Sequence, residues 1–163
     1  MKTLLLFRHA KTETAAPGVR DRDRRLLPIG ETDATDMGAL LAGRGLVPQV
    51  ILTSDAERAR QTAELCVRAI PAAGPVLPLG ELYDADGSDY PAIVAAFAPD
   101  ADVVMVVGHN PAMEEAVGAV AGRHVTMKTG SVAVIESASR TWGDPAGSEA
   151  ALREIVQPPR RRS

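Results

Sequence analysis

Only one cysteine, Cys66, occurs in the 163 residues. An intramolecular disulfide framework and a cysteine-rich zinc site are therefore excluded. The run Thr62-Ala63-Glu64-Leu65-Cys66-Val67 reads as helix, so Cys66 is expected to be a small buried hydrophobe. No apolar stretch approaches the ~20 residues that a membrane span needs. The opening Leu4-Leu5-Leu6-Phe7 is too short for the apolar part of a signal peptide, and no cleavage site follows it. A cytoplasmic protein without a membrane partner is the expectation. Charge of one sign is not in excess either: a formal net charge of −3 creates no field that favours nucleic acid or an anionic membrane. The basic run Arg160-Arg161-Arg162 has no aromatic interleaving, which makes a poor nucleic-acid footprint. Lysine is scarce. Lys2, Lys11 and Lys128 are the only ones, which leaves 15 of the 18 basic residues as arginine. Arginine suits bidentate contact with phosphate, although most of these side chains read equally well as solvated surface. The three histidines, His9, His109 and His124, show neither H-x-H nor H-E-x-x-H spacing, so neither a metal nor another cofactor is expected.

What the chain does have is apolar material, 45% of its residues, enough for one good core. Internal repeats and a separating linker are missing. Residues 1–157 are therefore expected to form a single domain, followed by a disordered basic tail over 158–163. Short apolar runs alternate with longer segments of helical period. This is the pattern of an α/β protein, here a three-layer α/β/α sandwich around a mostly parallel central sheet. Strands are predicted over 3–7, 49–53, 76–79, 103–107, 132–136 and 152–156. The run 103–107 (VVMVV) is the most hydrophobic and should lie centrally, covered on both faces, with 76–79 at an edge. Helices are predicted over 28–44, 56–70, 88–98 and 110–121. In the last of these Asn110 is a good N-cap, and Pro111 falls at the first helical position, where its missing N–H costs nothing.

Three of the predicted strands end in polar groups of a recurring kind. The first runs into Arg8-His9, the second into Ser54 with Arg58 one turn later, and the central one into Gly108-His109-Asn110. In open α/β sheets, ligands bind outside the carboxyl ends of the strands. The helix from Asn110 adds free N–H groups and a positive dipole end, a ready anion site. Taken singly, each residue has a plainer reading. His9 reads as a loop residue, Arg58 as a surface residue paired with Glu57 or Asp55, and His109 as a partner within a turn. Two histidines and two arginines delivered to one sheet edge from distant segments instead describe a phosphate pocket.

Leu6-Phe7-Arg8-His9-Ala10 resembles the Arg-His-Gly signature of the histidine phosphatase (phosphoglycerate-mutase-like) superfamily, with Ala10 where glycine is commoner. Ser54-Asp55-Ala56-Glu57-Arg58-Ala59-Arg60-Gln61-Thr62 is similar to its second motif, in which a Ser precedes the core Arg and Ala-x-Gln-Thr follows. Val107-Gly108-His109-Asn110-Pro111 resembles the third, and order and spacing match over essentially the whole chain. Among subgroups, the Arg-His-Ala-Lys opening, the Asp-x-Asp-Arg loop at Asp21 to Arg24 and Leu82-Tyr83 look most like the bacterial phosphohistidine phosphatases of the SixA type.

That resemblance implies a metal-independent phosphatase. Neutral His9 would take the phosphoryl group covalently, and water would then release it. Arg8 and Arg58 would meet the charge on the phosphoryl oxygens. His109, protonated or donating through one nitrogen, would complete the clamp, with Asn110 beside it. The family's general acid, a Glu after the third strand, has two candidates here. Aligning Leu82-Tyr83-Asp84 with the family's Leu-x-Glu selects Asp84; Glu81 is the alternative, and a solvated acidic loop reads equally well for either. A phosphohistidine substrate lessens the demand for an acid, because imidazole is a far better leaving group than an alkoxide. The expected partner is thus a phosphorylated protein carrying phosphohistidine, or else a small phosphorylated metabolite; a non-catalytic phosphate-binding module is the reading from another class. Lid-forming insertions have no room in 163 residues, which implies an open site. The loop Arg20-Asp21-Arg22-Asp23-Arg24-Arg25 can flank that site, and its alternating charges read chiefly as a self-paired surface loop.

Overall fold

The computed structural model describes residues 1–142 and 150–159. Among these, six strands form one sheet in the order β3-β2-β4-β1-β5-β6. They are β1 (Lys2–Arg8), β2 (Val50–Ser54), β3 (Val76–Leu79), β4 (Val103–Gly108), β5 (Val132–Ser137) and β6 (Ala150–Val156). The first four of that spatial order are mutually parallel, whereas β5 and β6 join antiparallel. As the hydrophobic runs predict, β4 is central and β3 lies at an edge.

Successive strand residues point to opposite faces, and the core divides accordingly. On β1 and β4, Leu6, Val104 and Val106 pack on one side, and Leu5, Phe7, Met105 and Val107 on the other. Helices α4 (Tyr90–Phe97) and α5 (Ala112–Ala121) cover the first side through Tyr90, Val94, Met113 and Val117. Helices α1 (Pro28–Gly43) and α2 (Glu57–Arg68) cover the second through Met37, Leu41, Ala59, Ala63 and Cys66. The three expected layers follow from this division. Burial pushes the Cys66 thiol up to about 12, so it serves as a hydrophobe and not as a thiolate.

Helix α1 opens with Pro28 in its first turn and closes in a Schellman motif. The Gly45 N–H donates to the Ala42 carbonyl and the Leu46 N–H to that of Leu41, with Gly45 at φ +74°, a region glycine enters without a Cβ penalty. Near the start of the same helix, Gly30 lies so close to Lys11 that a Cβ would come within 2.1 Å of its carbonyl oxygen. With the Leu27 N–H bonded to that carbonyl at 3.0 Å, this approach ties the segment leaving β1 to the start of α1.

Two local expectations need correction. The acidic segment after β3 is not a loop but one helical turn, α3 (Glu81–Asp84). Helix α5 begins at Ala112 instead of Asn110, and the Asn110–Pro111 peptide is cis. Asn110 still serves the helix from further back, because its Oδ1 accepts the Glu114 N–H at 3.3 Å. The Met113 N–H donates to the His109 carbonyl at 2.9 Å. These first-turn N–H groups, expected to be free for an anion, are therefore committed within the chain. Of the expected basic tail, residues 160–163 lie outside the described residues, while Pro158 sits beside Gly130. No helix among the described residues is long and apolar enough to cross a membrane.

Candidate active site

Parallel register sets Arg8 of β1 opposite Gly108 of β4, and Thr53 of β2 opposite Val107. The carboxyl ends of three strands thus lie side by side, and Arg58 joins them from the first turn of α2. His9 is 6% exposed, and its ring centroid lies 5.3 Å from that of His109. Its Nδ1 is 2.9 Å from the Ala10 carbonyl oxygen. A carbonyl only accepts, so Nδ1 carries the proton and Nε2 presents a lone pair. Burial above all, then the neighbouring His109, Arg58 and Arg8, hold the His9 pKa down to about 3 against the opposing pull of the Ala10 hydrogen bond. The ring is neutral near pH 7.

His109 places Nε2 at 2.8 Å from the Ser54 hydroxyl oxygen, while its Nδ1 is buried without a partner. The Tyr83 ring meets it edge-on at 5.6 Å. Burial, followed by the charge of Arg58, lowers the His109 pKa to about 4 although Asp21 pulls the other way. Of the two states expected for this ring, the structure favours the neutral one that donates through a single nitrogen.

The arginines are both tied to backbone. Arg8 donates through Nη1 to the Met127 carbonyl at 2.8 Å, and its Nε is buried without a partner. Arg58 is 5% exposed. Its Nη1 donates to the Asp21 carbonyl at 2.7 Å and its Nη2 to the Asp21 carboxylate at 3.0 Å. The surface reading of Arg58 is thereby corrected, since Glu57 pairs instead with Arg60 and Asp55 with Arg22. The charged loop does pair with itself, Arg20 with Asp23 and Arg24 with Asp21. Yet it is also docked on the site. Asp21 accepts from the Tyr83 hydroxyl, and the Arg22 guanidinium lies 4.2 Å from the centroid of the Tyr83 ring. The Tyr83 hydrogen bond, then Arg58 and Arg24, hold Asp21 down to about 2.

The Ala-x-Gln-Thr run contributes residues whose roles the sequence alone left unassigned. Thr62 Oγ1 accepts the Ala10 N–H at 3.0 Å and donates to the Arg58 carbonyl at 2.7 Å. Gln61 Oε1 accepts the Leu26 N–H at 2.8 Å. Helix α2 thus clamps both the chain leaving His9 and the chain entering α1. A signal existed: Thr62 shares the helical face of Ala59, Ala63 and Cys66, and a hydroxyl in a buried stripe needs a partner.

Asn110 uses both ends of its amide inside the fold, donating through Nδ2 to the Met127 carbonyl at 3.2 Å and accepting from Glu114. It holds the strip of chain that Arg8 also grips. Exposed Asp84 lines a cavity of about 170 Å³ together with Tyr83, Asp86, His109, Asn110 and Glu115. Glu81, exposed on the same helical turn, does not line it. His124 is exposed and borders a different hollow with Arg123. Among the described residues no group of three or more His, Cys, Asp or Glu side chains is placed to hold a metal ion. What the site does offer is a neutral His9 ring within electrostatic reach of two guanidiniums and a second histidine, an arrangement that suits a phosphoryl group.

Comparison with known proteins agrees. The sequence model of the histidine phosphatase superfamily (branch 1) matches residues 4–90. An uncharacterized chloroplastic protein of Arabidopsis thaliana is 30% identical over 153 residues, covering 86% of this chain and 69% of that protein. Two solved structures of candidate phosphohistidine phosphatases named SixA superpose closely. That from Agrobacterium tumefaciens has a TM-score of 0.82 at 32% identity, over 96% of this chain and 98% of its own. That from Nakamurella multipartitia has a TM-score of 0.80 at 31% identity, over 96% of each chain. The alternative of a non-catalytic phosphate-binding module falls away, and the chain belongs to the histidine phosphatase superfamily as a phosphatase.

Proposed function

We propose that the protein removes the phosphoryl group from phosphohistidine on a partner protein, through a covalent phosphohistidine on its own His9 and without a metal ion. The observation that carries this reading is the neutral His9 ring, with Nδ1 tied to Ala10 and Nε2 bare. In the first step Nε2 attacks phosphorus; its N–P bond forms as the substrate's N–P bond breaks, and the departing imidazole takes up a proton. In the second, water attacks phosphorus, the Nε2–P bond breaks, and inorganic phosphate leaves. Arg8, Arg58 and His109 stabilise the charge on the equatorial oxygens with donors that are in place beforehand.

The leaving-group side supports the substrate class. Asp84, Asp86 and Glu115 line the cavity beside His109, with Asn110 on its wall. Three carboxylates suit a neutral or cationic leaving group such as imidazole, and they repel the anionic remainder of many small phosphorylated metabolites. Asp84 is the side chain placed to protonate a leaving group, and imidazole makes little demand on it.

Rapid quenching with labelled phosphohistidine protein tests it. The expected product is an acid-labile, alkali-stable phosphoenzyme that His9→Asn fails to form, with turnover undiminished by EDTA. An acid-stable phosphoenzyme, or wild-type turnover in His9→Asn, overturns the nucleophile. Faster turnover of small anionic phosphomonoesters than of phosphohistidine overturns the substrate.

A further inference from the structure

We propose that Ser54 is a positioning residue that fixes the tautomer of His109, donating its hydroxyl proton to Nε2 so that the ring proton resides on Nδ1. The inference rests on the placement of His109 at the phosphoryl site. Ser54 is fully buried at the end of β2. Its Oγ accepts the Ala56 N–H at 3.2 Å and lies 2.8 Å from His109 Nε2. One proton remains on that hydroxyl, and among the described residues Nε2 is the acceptor placed for it.

The opposite arrangement fails on two counts. If Nε2–H donated to Ser54, the hydroxyl would accept twice and its own proton would be stranded on a side chain with no exposed surface. Nδ1, buried without a partner, would then carry a bare lone pair, and a phosphoryl oxygen arriving there would meet lone pair with lone pair. With the proton on Nδ1, each hydrogen has a use. The Ala56 N–H and the Ser54 O–H are satisfied within the fold, and Nδ1–H remains for the phosphoryl oxygen.

Tautomer control matters because the ring is neutral; a doubly protonated imidazole would donate from both nitrogens and need no such control. The two site histidines then form a complementary pair. Both carry the proton on Nδ1, His9 because of the Ala10 carbonyl and His109 because of Ser54. They present opposite ends to the phosphoryl group, His9 its bare Nε2 and His109 its Nδ1–H.

Long-range ¹H–¹⁵N spectra of the histidine rings at neutral pH, recorded without substrate, read this directly. The His109 signals are assigned by their loss in His109→Gln. The expected wild-type pattern is Nδ1–H, giving way in Ser54→Ala to a mixture or to Nε2–H. Ser54→Thr, which retains the hydroxyl, should keep the Nδ1–H pattern. Ser54→Ala also takes an acceptor from the Ala56 N–H, so a fall in kcat of about tenfold is expected but does not discriminate; the tautomer does. An Nε2–H pattern in the wild type, or an Nδ1–H pattern unchanged in Ser54→Ala, overturns the proposal. Because the spectra need no turnover, either result leaves the phosphatase reading to its own test, and a missing phosphoenzyme would leave the tautomer result standing.

Discussion

One residue, Asp21, grips Arg58 at both terminal nitrogens, its carbonyl on Nη1 and its carboxylate on Nη2. Arg58 Nε has no partner and each terminal nitrogen keeps a second hydrogen for a phosphoryl group, but the Asp21 carboxylate, which Arg24 and Tyr83 also hold, offsets the positive charge that a dianion would meet. Asp21→Asn keeps the shape and an acceptor oxygen but removes the charge. Competitive inhibition by inorganic phosphate should strengthen several-fold, on the order of 1 kcal/mol for one partly solvated charge. An unchanged or weaker inhibition constant would mean that the carboxylate orients Arg58 without opposing substrate.

The two site histidines predict how stability responds to pH. Their folded pKa values, about 3 for His9 and about 4 for His109, lie below the unfolded value of 6.5. Between roughly pH 4 and 6.5 the unfolded chain binds protons that the folded one refuses. Stability must therefore rise with pH across that window, by up to about 1.4 kcal/mol per pH unit for each ring, and level off above it. Asp21 acts in a lower window. Its pKa falls from 3.8 to about 2, so its contribution is present above 3.8 and is lost as pH falls towards 2. Urea unfolding of wild type and His9→Asn from pH 4.5 to 7 checks this: the variant should show the shallower slope. Equal slopes would mean that burial does not keep His9 neutral.

The fold was legible because its strands are apolar runs whose ends carry the chemistry. Val103 to Val107 could only be a covered central strand, and Arg8, Ser54 and His109 follow three such runs directly. Contacts that depend on where separate elements emerge were not legible. Alternating charge in the loop shows that Asp21 can pair with Arg24, but the contact with Arg58 spans 37 positions that include α1 and β2, so no local period encodes it. The start of α5 was misplaced for a related reason, since Asn110 caps through a side chain that reaches past Pro111. Glu81 and Asp84 sit three positions apart, and only the turn of α3 decides which one lines the cavity beside His109.

Thr62 offers a test of the clamp beneath His9. Thr62→Val keeps the volume but strands the buried Ala10 N–H that Thr62 Oγ1 accepts at 3.0 Å. A buried donor without a partner costs about 1–3 kcal/mol, which should appear as a lower urea midpoint. Activity should fall as well, because Ala10 also supplies the carbonyl that fixes the His9 tautomer. Thr62→Ser should retain both properties. A Val variant of wild-type stability would show that water or a backbone shift satisfies Ala10.

The acid at Asp84 is tested by varying the leaving group. Its carboxyl lines the cavity next to His109 and is exposed, so it can reach a departing atom while exchanging protons with solvent. General acid catalysis matters in proportion to the basicity of what departs. Asp84→Asn should therefore slow alkyl phosphomonoesters by roughly 10²-fold or more. It should barely affect phosphohistidine, phosphoramidate or p-nitrophenyl phosphate, whose leaving groups depart with less help. Glu81→Gln is the control, because Glu81 does not line the cavity and should show no dependence on the leaving group. An equal loss on every substrate would make Asp84 a binding or structural residue. No loss on any would leave this wall of the site without a protein acid, and a site without one can turn over only substrates whose leaving groups need no proton from it.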